Sequence, residues 1–133
     1  MAETLRLEVA TPTRQVVDEE VDTVELPGVL GGLGVLPGHT PLLTAIGTGP
    51  LLFRREGQES LLAIQGGFAE VLADSVTVLA TTAERPDEID VEAAERDKAE
   101  AQEALKDAAA EELQEASDRL RLAEARLEVA GRS

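Results

Sequence analysis

From Ile89 to Ala130 the chain carries neither glycine nor proline, whereas up to Glu84 these two residues interrupt it repeatedly. That contrast divides the molecule into two grammars. A stretch of about forty residues drawn mainly from Ala, Glu, Leu, Lys, Arg and Gln has no breaker and high intrinsic helix propensity, so helix is predicted throughout. Asp87 or Asp90 is placed to cap its N-terminus. Leu113, Ala116, Leu120, Ala123, Leu127 and Ala130 recur at spacings of three and four and form a narrow apolar seam, with a weaker one at Ala94, Ala101, Leu105 and Ala108. A turn near Asp107–Glu112 would fold the two seams together as an antiparallel hairpin; a single continuous helix is the alternative. Layers that alternate Leu with Ala bury less apolar surface than Leu on Leu, at roughly 0.8 kcal/mol per CH₂, so the hairpin is expected to be mobile.

The first part reads as short period-2 runs, the pattern of antiparallel β structure. Leu5, Leu7 and Val9 alternate with polar residues, and Val21–Leu26 is a second run ending at Pro27-Gly28. Pro50–Arg55, Ser60–Ile64, Phe68–Leu72 and Val76–Ala80 follow, with Gly57, Gly66-Gly67 and Asp74-Ser75 marking turns. Many short strands at close spacing predict a small sandwich or barrel. The fold class is therefore α+β, with a β-sandwich over residues 1–85 and a helical hairpin over residues 86–133.

Charge and composition exclude several functions. With 27 acidic and 12 basic residues the net charge is −15, which repels nucleic acid and anionic lipid alike. There is no cysteine, hence no disulfide framework or thiolate chemistry. No apolar run approaches the roughly 20 residues that span a bilayer, and no basic-then-apolar leader is present, so the chain is expected to remain where it is made, without direct lipid insertion. Phe53 and Phe68 are the sole aromatic residues. A stacking site for a base, sugar or cofactor would be poorly equipped.

Candidate chemistry is sparse. His39 is the single histidine, between Pro37 and Pro41, and a lone imidazole without cysteine supplies no metal cluster. A structural or interface role suits it better than catalysis. The glycines at 28, 31, 32, 34 and 38 fail as a phosphate loop, because no Lys-Ser or Lys-Thr follows and Pro37 stands where the dinucleotide pattern needs glycine. They fit a loop or flat surface allowing close backbone approach. Asp18, Glu19 and Glu20 read as a solvated turn. No cofactor, metal site or catalytic set is expected, and two alternatives stay open: a small ligand-binding sandwich with a helical interaction segment, and an enzyme pairing His39 with a carboxylate.

The ordered motifs Gly34-Val35-Leu36-Pro37-Gly38-His39-Thr40-Pro41-Leu42-Leu43-Thr44-Ala45-Ile46, Gly66-Gly67-Phe68 with Glu70-Val71, Val76–Ala80, Ala83-Glu84 and Ile89-Asp90 resemble the epsilon subunit family of bacterial F-type ATP synthases, whose mitochondrial counterpart is delta. The resemblance implies a ten-stranded sandwich followed by a two-helix hairpin. It further implies a rotor subunit without an active site, docked on the gamma subunit and the c-ring, peripheral to the cytoplasmic face of the bacterial membrane. In that family the hairpin can extend toward the alpha and beta subunits and inhibit ATP hydrolysis. Gly31, Gly32, Leu33, Pro37, His39 and Pro41 are then expected at the gamma and c-ring interface, and Arg119, Arg121 and Arg126 as the basic groups that meet the catalytic subunits. Some members bind ATP through an Ile/Leu-Asp-x-x-Arg-Ala motif. Here Ile89, Asp90 and Ala94 match, Ala93 replaces the arginine, and of the supporting positions Glu100 and Leu122 depart while Arg126 matches. Only a vestige of a nucleotide site is implied.

Overall fold

The computed structural model describes residues 3–131; residues 1–2 and 132–133, at the outer ends of the two expected segments, lie outside the described range. Eight strands run in order: β1 (Leu5–Ala10), β2 (Gln15–Val21), β3 (Thr23–Gly28), β4 (Gly31–Val35), β5 (Leu42–Ile46), β6 (Gly49–Arg55), β7 (Gln58–Val71) and β8 (Ser75–Glu84). A single 3-10 turn (Pro86–Glu88) leads to helices α1 (Val91–Asp107) and α2 (Ala110–Val129).

The two longest strands organise the rest. The first half of β7 pairs with β6, from Gln58↔Arg55 to Ile64↔Gly49, and its second half pairs with β5, from Gly67↔Ile46 to Val71↔Leu42. The exchange of neighbours falls at Gly66-Gly67. β8 follows β7 along both halves, from Val71↔Val76 to Ala63↔Glu84. Each therefore contributes a segment to both layers, one built on β2-β1-β8-β7-β5 and the other on β8-β7-β6-β3-β4. The implied ten strands are thus met by eight continuous ones, two of them counted twice. One pair is not antiparallel as expected: β1 runs parallel to β8, from Arg6↔Ser75 to Ala10↔Leu79.

Gly66 and Gly67 were expected to be a turn between two strands; they are instead a corner inside one. Both have positive φ, +32° and +145°, and a Cβ on Gly67 would lie 2.0 Å from the Leu79 carbonyl oxygen. Only glycine lets β7 bend this close to β8. Leu5, Leu7, Val9, Val24, Leu26, Leu51, Phe53, Leu62, Ile64, Val71, Val76 and Val78 fill the space between the layers and are almost wholly buried. Phe53 thus belongs to an otherwise aliphatic core.

Two further expectations change. The acidic run Asp18–Glu20 lies in strand β2, not in a turn, because Val16, Val17 and Val21 supply its buried positions. Its charges are met at the surface: Asp18 accepts from Arg6 Nε at 3.0 Å and Nη2 at 3.1 Å, and Glu20 accepts from Thr4 Oγ1 at 2.7 Å. The run Val21–Leu26 breaks at Asp22, whose carboxylate accepts the Glu56 amide at 2.8 Å and whose own amide donates to the Arg54 carbonyl.

The helices form the expected hairpin, with the break confined to Ala108–Ala109. Asp90, the second of the two candidate caps, accepts from the Ala93 amide at 3.0 Å. Ala94, Ala101, Ala116, Ala123 and Leu127 are buried, while Leu113 near the start of α2 remains 49% exposed. The seam therefore closes well near the sandwich and poorly at its far end. α2 lies over the outer face of β6 and β7, where Val129 meets Ala63 and Ile89 with Leu61, Val91 and Ala130 around them. This second covering explains why Leu62, Ala63 and Ile64 are buried in succession.

Gly67→Ala is expected to destabilise the chain by at least about 3 kcal/mol, since backbone clash adds to left-handed strain. Gly34→Ala, which meets nothing within 4 Å at an ordinary φ, should stay within about 0.5 kcal/mol. Urea denaturation of both variants against wild type measures the contrast.

Candidate partner interface

The segment from Gly31 to Pro41 was expected to act as one loop. It does not. Gly31–Val35 is strand β4, paired to β3 from Gly28↔Gly31 to Val24↔Val35, and only Leu36–Pro41 is loop. Gly28 pairs with both Gly31 and Ile46, which sets the Val29-Leu30 hairpin tip at the end of β5. Leu42, at the other end of β5, pairs with Val71, so residues 36–41 lie beside the β7–β8 turn, where the Gly38 amide donates to the Ala73 carbonyl at 2.7 Å. A strand of five residues spans about 16 Å, and the expected interface residues are accordingly split between opposite ends of the sandwich.

At one end Gly31 and Gly32 are exposed, with Leu33 turned partly onto the core. Beside them Leu30 is fully exposed and Val29 is 64% exposed. At the other end Pro41 is exposed and Pro37 and His39 are half-buried. The His39 amide donates to the Leu36 carbonyl, and its Nδ1 lies 2.6 Å from the Thr40 carbonyl oxygen. That contact orients the ring locally, and among the described residues no carboxylate is shown paired with His39. Among the described residues no group of three or more His, Cys, Asp or Glu is placed to hold a metal ion.

Between the two ends runs a surface that sequence inspection missed. Register places Ala45 opposite Phe68 and Phe68 opposite Leu79, with Leu43 two residues further along β5. All face outward from the layer: Leu43 is 74% exposed, Phe68 60% and Leu79 60%. Apolar side chains exposed side by side in this way make these residues a candidate contact surface. Its polar border is formed by Glu70, opposite Leu43 and Thr77, and the neighbouring β1–β2 surface carries the Arg6–Asp18 and Arg6–Glu8 ion pairs. The available sequence signal was the loss of alternation in Leu42-Leu43, Phe68-Ala69 and Val78-Leu79-Ala80, where apolar residues stand on both faces of a strand. In the opposite layer α2 packs on the outer face of β6 and β7.

The junction with the hairpin is rigidly held. Arg14 grips Glu88 with two charge-assisted hydrogen bonds of 2.7 Å and donates to the Ala83 carbonyl at 3.2 Å. The Arg85 amide donates to Glu88 Oε1 at 2.9 Å and the Arg85 guanidinium to the Val16 carbonyl. The Arg14 hydrogen bonds, followed by that from the Arg85 amide, hold the Glu88 carboxyl at about 2, below the usual carboxylate range. Beyond the junction Ile89 is buried in the cluster with Ala63 and Val129, and Asp90 is occupied in capping α1. Arg126 donates from Nε to Glu84 at 2.6 Å, and its Nη1 lies 3.9 Å from Asp97. The vestigial nucleotide residues Ile89, Asp90 and Arg126 are thus each engaged within the chain. Arg119 and Arg121 stand exposed on α2.

Because the folded pKa of Glu88 lies below the value of about 4.3 for an unperturbed glutamate, the junction is stabilised above about pH 4.5. That contribution is lost as pH falls toward 2. Glu88→Gln is expected to remove this acid-side loss and to loosen residues 85–88 at neutral pH. Hydrogen exchange of these amides between pH 7 and pH 3 measures both effects.

Residues 4–86 match the family model for the ATP synthase, Delta/Epsilon chain, beta-sandwich domain. The chain is 46% identical over 127 residues to the ATP synthase epsilon chain of Herpetosiphon aurantiacus, covering 95% of this chain and 93% of that one. It is 48% identical over 106 residues to the ATP synthase epsilon chain of Geotalea uraniireducens, covering 80% and 77%. In structure it resembles a chain of the Euglena gracilis mitochondrial ATP synthase OSCP/F1/c-ring assembly, with a TM-score of 0.82 at 25% identity over 96% of this chain and 81% of that one. A chain of the Tetrahymena thermophila mitochondrial ATP synthase central stalk/c-ring shares the fold, with a TM-score of 0.64 at 11% identity over 95% and 96%.

Proposed function

The chain belongs to the ATP synthase delta/epsilon family, and from that premise we propose that it is the non-catalytic epsilon subunit of a bacterial rotary ATP synthase. In this reading the sandwich joins the central stalk to the c-ring and helps to couple c-ring rotation to ATP synthesis. The observation that carries the docking mode is the asymmetry of the two outer faces: α2 packs on β6 and β7 of one, and the Leu43-Phe68-Leu79 stripe is exposed on the other. An apolar stripe bordered by polar groups suits a permanent neighbour within an assembly. The gamma subunit is the neighbour assigned to it.

The split of the Gly31–Pro41 segment divides the remaining contacts. His39, Pro37 and Pro41 border the stripe at one end and extend the gamma contact. Gly31, Gly32 and Leu33, with the Val29-Leu30 tip, stand at the other end and are assigned to the c-ring. Among the described residues no helix is long and apolar enough to cross a membrane, and in this reading the chain sits on the membrane's cytoplasmic face through these partners. The sandwich, residues 1–85, is the docking domain. The hairpin, residues 86–133, is the regulatory one; when it extends, Arg119, Arg121 and Arg126 meet alpha and beta and ATP hydrolysis falls.

Affinity purification of the tagged chain from membranes tests the assignment. It should recover gamma, the c-ring and the catalytic subunits, and Phe68→Asp with Leu43→Asp should lose them while the isolated chain stays folded. Recovery of an intact synthase with that double variant would refute the docking face. Truncation after Glu88 should preserve assembly and raise ATP hydrolysis several-fold. Calorimetry with Mg-ATP should detect no binding to the isolated chain at millimolar nucleotide, because Ala93 and Glu100 leave too few guanidinium groups for a triphosphate.

A further inference from the structure

We infer that Glu70 keys the sandwich onto gamma: in the docked state its carboxylate is matched by a lysine or arginine of that subunit. The inference deepens the docking reading above and rests on the outer face of β5, β7 and β8 being the face that gamma covers.

Register lays the outward side chains of this layer in rows that cross the strands. Asp18, Glu8, Thr77, Glu70 and Leu43 stand in one row, each paired with the next from β2 to β5. Ala10, Leu79, Phe68 and Ala45 make the row beside it. The first row is largely acidic and the second carries no charge. Glu8 and Asp18 are answered within the chain, for Arg6 Nε lies 3.1 Å from the first and 3.0 Å from the second. Glu70 is exposed, and among the described residues it has no ion pair and no side-chain hydrogen bond. Arg6, already engaged, is two strands away from it, about 10 Å at the usual spacing.

An unanswered charge therefore stands against the apolar stripe. Leu43 is opposite it on β5, and Phe68 lies two residues back on the same face of β7. Water solvates the carboxylate in the free chain. A partner that covers Leu43 and Phe68 strips that water away, and a carboxylate shielded without a counter-charge opposes the contact that its neighbours favour. A guanidinium or ammonium brought to the same point reverses the sign, through a charge-assisted hydrogen bond at the margin of an apolar contact. The net charge of −15 draws any basic surface toward the chain. It does not select an orientation. A single carboxylate set beside two large apolar side chains does, since a slip by one strand, about 5 Å, leaves both charges unmatched.

The match is tested by the rate at which the full-length chain leaves a catalytic head that retains gamma and has been depleted of its own copy of this subunit. Glu70→Gln should speed release about thirtyfold and Glu70→Lys about a thousandfold, with association changed only a few-fold. Glu25→Lys makes the same charge change as Glu70→Lys at an exposed β3 position in the other layer, and it should leave release within about twofold of wild type. Replacing one lysine or arginine of gamma by glutamate should recover most of the binding lost in Glu70→Lys. Wild-type release by both Glu70 variants would overturn the inference, as would failure of every such charge reversal in gamma to rescue Glu70→Lys. The variant carrying Phe68→Asp with Leu43→Asp separates the two readings. Rapid release by it, with wild-type release by the Glu70 variants, strikes the charge match alone; wild-type release by all of them strikes the docking face.

Discussion

The close passage of β7 under β8 at Gly67 is the contact on which the sandwich depends. At this corner a backbone without a side chain lets one long strand leave β6 and join β5 without losing its pairing to β8. Two layers are thereby joined by continuous hydrogen-bonded strands in place of a loop. The inner faces of both layers then converge on Leu51, Leu62, Ile64, Val76 and Val78. The outer faces are left in different surroundings.

On the β6–β7 side, a small residue is required twice over. Ala63 is wholly buried although it points away from the main core, because Val129 and Ile89 sit on it. On the β5–β7–β8 side none of the described residues covers Phe68 and its neighbours, and the sheet presents apolar side chains outward in an otherwise acidic protein. One outer face is thus packed in part by the chain's own helix α2, and the other carries exposed apolar side chains.

The division into sandwich and hairpin was legible in the sequence because it depends on local signals. Breaker residues, period-2 alternation and an N-cap at Asp90 act within a few positions. What escaped depended on distance. Gly66-Gly67 has the local chemistry of a turn, and only the approach of Leu79 reveals it as a corner. Asp18–Glu20 reads as solvated, yet Arg6 on β1 and Thr4 just before it allow the same charges to lie along β2. The glycine-rich segment was correctly read as surface, but the register with β3 and β5 sends its two ends to opposite poles. Leu43, Phe68 and Leu79 are far apart in sequence and become one stripe only through pairing. The resemblance to a known family supplied the overall role, and the positions of these contacts required the fold.

The parallel pairing of β1 with β8 has a consequence for how the chain is made. Arg6 pairs with Ser75, so the first strand finds its inner neighbour only after nearly seventy further residues have been synthesised. Until then β1 has β2 alone, and a two-stranded hairpin is marginal in water. Closure of the sandwich is thus a late, long-range event of the kind that folds slowly. By the time it occurs the residues that follow β8 are emerging, and their breaker-free run can form helix at once. The helical hairpin is ready when its seat is finished, and the acidic surface of the waiting strands keeps neighbouring chains apart in the interval.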